Sequence, residues 1–170
     1  KELKKNDPFQ EVAKEIPLIT KLIQNGYTGR KGKGGFYRID KQKNQKILEA
    51  INLDTGDYLP SKKIDLGIET VNLNLLINRK DKYGEYSWTV ISKIIKYASS
   101  LVPSITDKFN DIDEAMRLGF NWAMGPFEML KSIGVKNFFD RIDDFKNNQF
   151  LENLSKTKDE NFYGERQKYT

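Results

Sequence analysis

Apolar residues recur along this chain with two different periods, and the switches between them divide it into elements. Phe9, Val12, Ala13 and Ile16 stand at helical spacing behind Asp7 and Pro8, an N-cap followed by the one residue that fits a first helical position. Pro17 cannot continue that helix, because it lacks an N–H, but it can open another with Leu18, Ile19, Leu22 and Ile23 on one face. Gly26 closes it in a left-handed conformation. Two such short helices cannot bury this face between themselves, so residues 1–40 are expected to lie against another helical unit. Residues 36–39 and 47–51 flank a polar stretch and predict a β-hairpin. Residues 54–57 read as a turn and 59–63 as a linker.

Helical spacing resumes near Ile64, with Ile68, Val71, Leu75 and Leu76 on one side, and stops before Lys82. Trp88, Ile91, Ile94, Ile95, Ala98, Leu101 and Val102 then form the wide apolar face of a longer helix, opposite a face of Ser, Thr and Lys. Phe138, Phe139 and Ile142 mark a further helix, and Phe150, Leu151 and Leu154 a short last one. Between them, Asp111 and Glu114 predict a capping box, with Ile112, Ala115 and Met116 facing inward. Gly119 is the expected helix stop at positive φ, with the rings of Phe120 and Trp122 turned in from a compact turn. Gly125 and Pro126 open the next helix, Glu128 sits near its positive end, Phe127, Leu130 and Ile133 face inward, and Gly134 stops it. The whole predicts a mainly α fold with a small β-hairpin insertion.

Composition narrows the chemistry. The chain has 170 residues, 38% hydrophobic and 31% charged, which suits one ordinary core or two small helical units. No apolar run is long enough to span a membrane, and no secretory signal opens the chain. Cysteine is absent, which excludes disulfides and thiolate chemistry; histidine is absent too, which excludes a serine–histidine relay or a histidine zinc site. Lys and Arg number 29 against 24 Asp and Glu, giving +5. Acids and bases interleave, so a solvated lysine-rich surface is the reading here, over a nucleic-acid patch. Asp143 and Asp144 read as a solvated pair.

The glycine-rich, basic stretch 26–37 raises the question of a phosphate cradle. Its spacing fits neither phosphate-binding pattern: Gly35 and Phe36 stand where a P-loop needs Lys and Ser or Thr, and Tyr37 stands where a dinucleotide fingerprint needs glycine. No helix follows it. It reads as a structural loop.

Residues 111–128, with Gly119, Trp122, Gly125, Pro126, Phe127 and Glu128 in fixed order, resemble a segment of the C-terminal helical domain of 3-hydroxyacyl-CoA dehydrogenases. Residues 29–37 look like the loop that closes such a domain. Because that loop lies upstream of the signature, the resemblance implies two copies of the module. Residues 1–40 would be the tail of the first, 41–63 a hairpin and linker, and 64–170 a second, degenerate copy with Asn161, Phe162, Tyr163 and Gly164 as its eroded closing loop. The implied fold is the helical module of the 6-phosphogluconate-dehydrogenase C-terminal type.

The resemblance further implies an oxidoreductase of fatty acid β-oxidation with NAD as cofactor and acyl-CoA as substrate, in the cytoplasm. Its partners would be an N-terminal nucleotide-binding domain and a homo-oligomer, with neither membrane nor nucleic acid. The chain begins with Lys1, which fits a piece of that longer enzyme. The catalytic residues do not carry over. The family's histidine lies on the nucleotide-binding domain, and its asparagine falls at Trp88 here, with Asn78 and Arg79 too early to replace it. No catalytic, cofactor-binding or metal-binding residue is therefore expected, and the chain alone should be inactive. Two alternatives are a stand-alone helical interaction module, which could bind nucleic acid, and a CoA-binding module using the cations of the glycine-rich loop.

Overall fold

A computed structural model describes residues 5, 7–40, 46–63, 65, 67 and 72–164. The chain divides into two compact units, Lys1–Gly67 and Ile68–Thr170. The described residues are mainly helical, with one small antiparallel sheet among them.

The first unit contains α1 (Phe9–Val12), α2 (Pro17–Gln24), β1 (Tyr37–Asp40), β2 (Ile47–Ile51) and β3 (Tyr58–Pro60). The Asp7 carboxylate accepts from the Phe9 N–H, but α1 lasts one turn only, and Phe9, Val12 and Ile16 are exposed rather than packed. Pro17 opens α2 as expected, and Gly26 follows its end at φ 81°. Of the predicted apolar face, Leu22 is buried while Ile23 stays 56% exposed.

The hairpin between β1 and β2 is present, with Arg38 opposite Glu49 and Ile39 opposite Leu48. The polar positions 41–45 between them lie outside the described residues. Part of the expected linker is instead a third strand: β3 pairs with β2, Leu59 opposite Ala50. Pro60 is tolerated there because β3 is an edge strand, where a missing N–H breaks no ladder bond. The turn at 54–57 is built on Asn52, whose side-chain oxygen accepts from the Asp54 and Thr55 N–H groups.

The second unit contains α3 (Leu73–Ile77), α4 (Lys82–Ser100), α5 (Phe109–Phe120), α6 (Pro126–Ile133), α7 (Val135–Phe139) and α8 (Gln149–Thr157). Ile64, Ile68 and Val71 of the helix expected before α3 lie outside the described residues. Asn72 caps α3 through Leu75 N–H, and Leu75 itself points outward, 62% exposed. Asp81 starts α4, accepting from the Tyr83 and Gly84 N–H groups at 3.1 Å each and pairing with Arg79. Gly84 leaves room for the Arg79 carbonyl, which a Cβ would strike.

The core lies where α3, α4, α6, α7 and α8 meet. Leu73, Ile77, Ile95, Leu130, Ile133, Val135, Phe138, Leu151 and Leu154 form it, with Trp88 and Ile91 packed against it. The inner faces expected for α4 and α6 are thus buried, but Ser99, expected on the outer polar face of α4, is buried too, its hydroxyl donating to the Ile95 carbonyl. A second cluster joins Ala98, Phe127 and Tyr163, with Phe109, Phe150 and Phe162 around them.

Candidate functional site

The signature segment is a junction between α5 and α6, and its centre is a residue outside the expected set. Asp113, on the inward side of α5, is completely buried. Its two carboxylate oxygens accept from the N–H groups of Phe127, at 2.8 Å, and Glu128, at 2.9 Å. These are first-turn donors of α6, which have no partner within their own helix. An anion at that end also meets the positive pole of the helix dipole. Asp113 therefore caps α6 across a turn, a role a serine or aspartate at position 125 would otherwise fill.

Gly125 is glycine for reasons of space. Its backbone is ordinary, φ −78°, ψ 169°, but a Cβ there would run into the Asp113 side chain. Glu128 reaches back to accept from the Gly125 N–H at 2.8 Å and pairs with Arg117 of α5 at 2.8 Å. Both side chains of that pair are largely covered. Pro126 fills the first helical position, and Phe127 is fully buried against Phe109 and Phe150. Four of the six signature residues thus meet in one place.

The other two do not join it. Gly119 lies inside α5, which continues to Phe120, and no atom stands within 4 Å of a Cβ placed on it. The left-handed residue is Asn121, at φ 56° and ψ 37°, a residue type that tolerates this region. Phe120 is 70% exposed and Trp122 half-buried outside both apolar clusters, so the rings do not both turn inward. Ala115, too, is exposed. Nor does Asp111 cap α5: the helix begins at Phe109, and Asp111 accepts from the Thr106 hydroxyl inside the first turn.

The chain's last described stretch closes over the junction. Glu160 accepts from the N–H groups of Val135 and Lys136, at 2.8 and 2.9 Å, capping α7 as Asp113 caps α6. Phe162 and Tyr163 enter the aromatic cluster around Phe109, and the Tyr163 hydroxyl donates to Asp113. Lys131 donates to the Gly164 carbonyl at 2.7 Å. Burial pushes the Asp113 carboxyl above its ordinary value, opposed by the hydrogen bonds from Phe127, Tyr163 and Glu128. Burial first, then the charge of Asp113, pushes the Tyr163 phenol up as well.

Asp113, Tyr163 and Glu160 escaped the sequence reading because their partners lie 14 to 50 positions away. One signal was available: a carboxylate on the apolar side of an amphipathic helix, one position after Ile112.

Chemically the junction is saturated. Its carboxylates are engaged by backbone N–H groups, a phenol and a guanidinium. Among the described residues no buried side-chain nitrogen or oxygen lacks a partner, and no group of acidic residues could hold a metal ion. Asn78 caps the end of α3, donating to Asn74 and accepting from Arg141. In the first unit the glycine-rich loop turns upon itself, with Gly29 N–H on the Gly34 carbonyl and Lys33 N–H on the Gly26 carbonyl. An open cleft of about 570 Å³ beside it is lined by Gln24, Asn25, Gly26, Tyr27 and Lys33, with no carboxylate among them. No helix among the described residues is long and apolar enough to cross a membrane.

Residues 87–161 match the profile of the 3-hydroxyacyl-CoA dehydrogenase C-terminal domain. Over 140 residues, 82% of the chain, the sequence is 38% identical to the "Putative fatty acid oxidation complex trifunctional enzyme" of Rickettsia prowazekii, covering 19% of that protein. It is 28% identical over 140 residues to the "Probable 3-hydroxyacyl-CoA dehydrogenase" of Bacillus subtilis, covering 79% of this chain and 18% of that one. A short uncharacterized protein of Rickettsia conorii is 42% identical over 45 residues, 26% of this chain and 86% of its own length. The chain spans about a fifth of the length of the first two relatives. No solved structure matches.

Proposed function

We propose, from the match of residues 87–161 to the 3-hydroxyacyl-CoA dehydrogenase C-terminal domain, that the chain is a packing part of such an enzyme and not the seat of its chemistry. The observation that carries this reading is the junction of α5 and α6. The family's signature residues there hold two helices together, and the junction's buried carboxylate, Asp113, is spent on helix N–H groups. The oxidation of acyl-CoA by NAD would take place on a nucleotide-binding domain, with this chain making dimer-like contacts against it in a cytoplasmic enzyme.

The same reading takes residues 1–40 as the tail of a first helical module, 41–63 as hairpin and linker, and 64–170 as a second module. Its support is the recurrence of a Phe–Tyr pair, Phe36–Tyr37 and Phe162–Tyr163, behind α2 and α8. Calorimetric titration with NADH and with acetoacetyl-CoA tests it, and no saturable heat is expected. Saturable binding of either would make the chain part of the active site.

One observation favours a second reading, phosphate binding by the first unit. Residues 1–67 hold 14 basic against 9 acidic residues and residues 68–170 hold 15 of each, so the whole net charge of +5 lies in the first unit. The cations of the glycine-rich loop, Arg30, Lys31 and Lys33, are all exposed. Saturable heat with CoA, abolished by salt, would support that reading.

A further inference from the structure

A small pocket of the second unit stands apart from the capping contacts of the junction. It has a volume of about 180 Å³ and opens where α8 ends and the chain beyond it returns to Phe109 of α5. Its floor is carbon: the part-buried rings of Phe109, Phe150 and Phe162, with the buried side chain of Leu154 beside them. Its rim is polar, made by Asn153, Thr157 and Asp159, all exposed. The ring centroids are 5.5, 5.7 and 6.2 Å apart, and the interplanar angles are 62°, 48° and 72°. Rings inclined in this way form walls and not a stack. Each carries negative charge density on its face.

The other groups around the pocket carry the same sign. Asp159 is the one charged side chain among those that line it. One of its oxygens accepts from the Asn161 N–H at 2.8 Å, and the other has no partner among the described residues. The Thr157 hydroxyl donates its proton to the Leu154 carbonyl at 3.2 Å, which leaves only its lone pairs for a ligand. Thr157 is also the last residue of α8, whose terminal carbonyls form the negative pole of the helix dipole. Of the lining side chains, only the Asn153 amide still has a hydrogen to donate.

This combination selects by charge and by surface. An anion finds no cation here. A neutral apolar molecule would take a carboxylate out of water without compensation. A hard metal ion needs several oxygen ligands, and the pocket supplies one carboxylate. What fits is a cation with a carbon surface.

We propose that this pocket binds a small quaternary ammonium compound, its trimethylammonium head set against the three rings and its charge balanced by Asp159. Such a head carries no N–H that needs a partner, and its methyl groups meet the ring faces directly, where the cation–π attraction acts within about 6 Å of a centroid. The volume suits a compact head group, since drug-sized ligands occupy roughly 300–1,000 Å³. The exposed polar rim suits a ligand that arrives free in solution and not one embedded in a bilayer. The site is independent of the packing role proposed above.

Titration of the full chain with tetramethylammonium chloride and with choline chloride tests this, followed by the ring resonances of carbon-13-labelled phenylalanine. Sodium chloride and 3,3-dimethylbutan-1-ol, the uncharged isostere of choline, are the controls. The expected result is a saturable shift with both ammonium compounds and none with sodium chloride, the isostere binding at least about tenfold more weakly. Asp159→Asn keeps the acceptor for Asn161 and should weaken binding roughly threefold, the scale of an exposed charge contact. Asn153→Arg places a cation at the rim and should abolish binding. Asp144→Asn, which removes an exposed carboxylate that likewise accepts a backbone N–H two residues on, should leave it unchanged. Circular dichroism of the variants checks the fold, and the comparison of choline with its isostere in the parent chain stands whether or not a variant folds. Equal binding of the isostere would overturn the proposal, and so would a shift that never saturates. A loss in Asp144→Asn as large as in Asp159→Asn would reduce the effect to general surface charge and overturn it too. Flotation with phosphatidylcholine vesicles without any response to free choline would assign the pocket to a lipid head group and overturn it as well.

Discussion

Replacing Asp113 by Ala removes the polar side chain that ties α5, α6 and the end of the described chain together. Three donors lose their acceptor at once: the Phe127 N–H, the Glu128 N–H and the Tyr163 hydroxyl. A buried donor left without a partner costs about 1–3 kcal/mol, less where water can reach it. Losing the anion at the positive end of α6 adds up to ~1 kcal/mol. Against this, the unfavourable burial of a carboxylate is relieved, the same effect that raises its pKa. The balance is a destabilisation of about 3 kcal/mol. In a unit of roughly 100 residues that lowers the melting temperature on the order of 10–20 °C.

Asp113→Asn should fall between, since one oxygen still accepts an N–H while the amide group confronts the other. Tyr163→Phe removes only the hydroxyl and should cost about 1 kcal/mol. Melting followed by circular dichroism at 222 nm, with urea midpoints beside it, supplies the values. A double-mutant cycle of Asp113→Asn with Tyr163→Phe should show coupling of at least about 0.5 kcal/mol. An Asp113→Ala chain melting within about 2 °C of the parent, where one kcal/mol corresponds to several degrees, would refute the capping argument.

Further outcomes follow from the same contacts, each read by the same melts. Gly119→Ala should stabilise by about 0.5–1 kcal/mol, because the position is helical, open and not at positive φ; a loss would mean that the position needs glycine. Gly125→Ala should destabilise by about 1–3 kcal/mol, since its methyl displaces the Asp113 carboxylate, and tolerance would show that the close approach relaxes freely. Trp122→Ala should cost less than the roughly 3 kcal/mol of a core aromatic, because the ring is half-buried. Asp81 and Asp113 should act oppositely on pH dependence. Arg79 and the first-turn N–H groups depress Asp81 to about 2, so its contribution is present above the ordinary carboxylate value and lost as pH falls toward 2. Asp113 is raised by burial, so the folded chain holds its proton more firmly than the unfolded one. Its contribution is therefore greatest at low pH and declines as pH rises through the raised value, and Asp113→Asn should flatten that decline.

The sequence was most legible where structure follows from adjacent residues. Pro17 and Pro126 open helices, Gly26 and Gly134 follow their ends, and Phe127, Leu130 and Ile133 form a buried stripe because one helix period sets all three. Legibility ended where a partner comes from far away. Asp113 reads as one more charge in an acidic run until α6 is laid against it, and Tyr163 reads as an eroded loop until its hydroxyl meets that carboxylate. The third strand was hidden by Pro60, which argues against a strand anywhere but at an edge. The covered side of the sheet was hidden because alternation does not say which face is covered: Arg38 and Glu49 look like an outer set until their register pairs them, with Glu49 buried. Gly119 was misjudged because a glycine two residues short of a helix end resembles a stop, whereas Asn121 takes the left-handed position.

The claim that this chain packs and does not catalyse is tested most directly by NADH oxidation with acetoacetyl-CoA, run on the purified chain beside its Asp113→Ala variant. The expected result is no turnover above buffer for either, while the two differ widely in melting temperature. Turnover by the parent chain that survives repurification, and that Asp113→Ala abolishes under conditions where the variant remains folded, would contradict it. The buried carboxylate would then belong to a catalytic site and not to a helix cap.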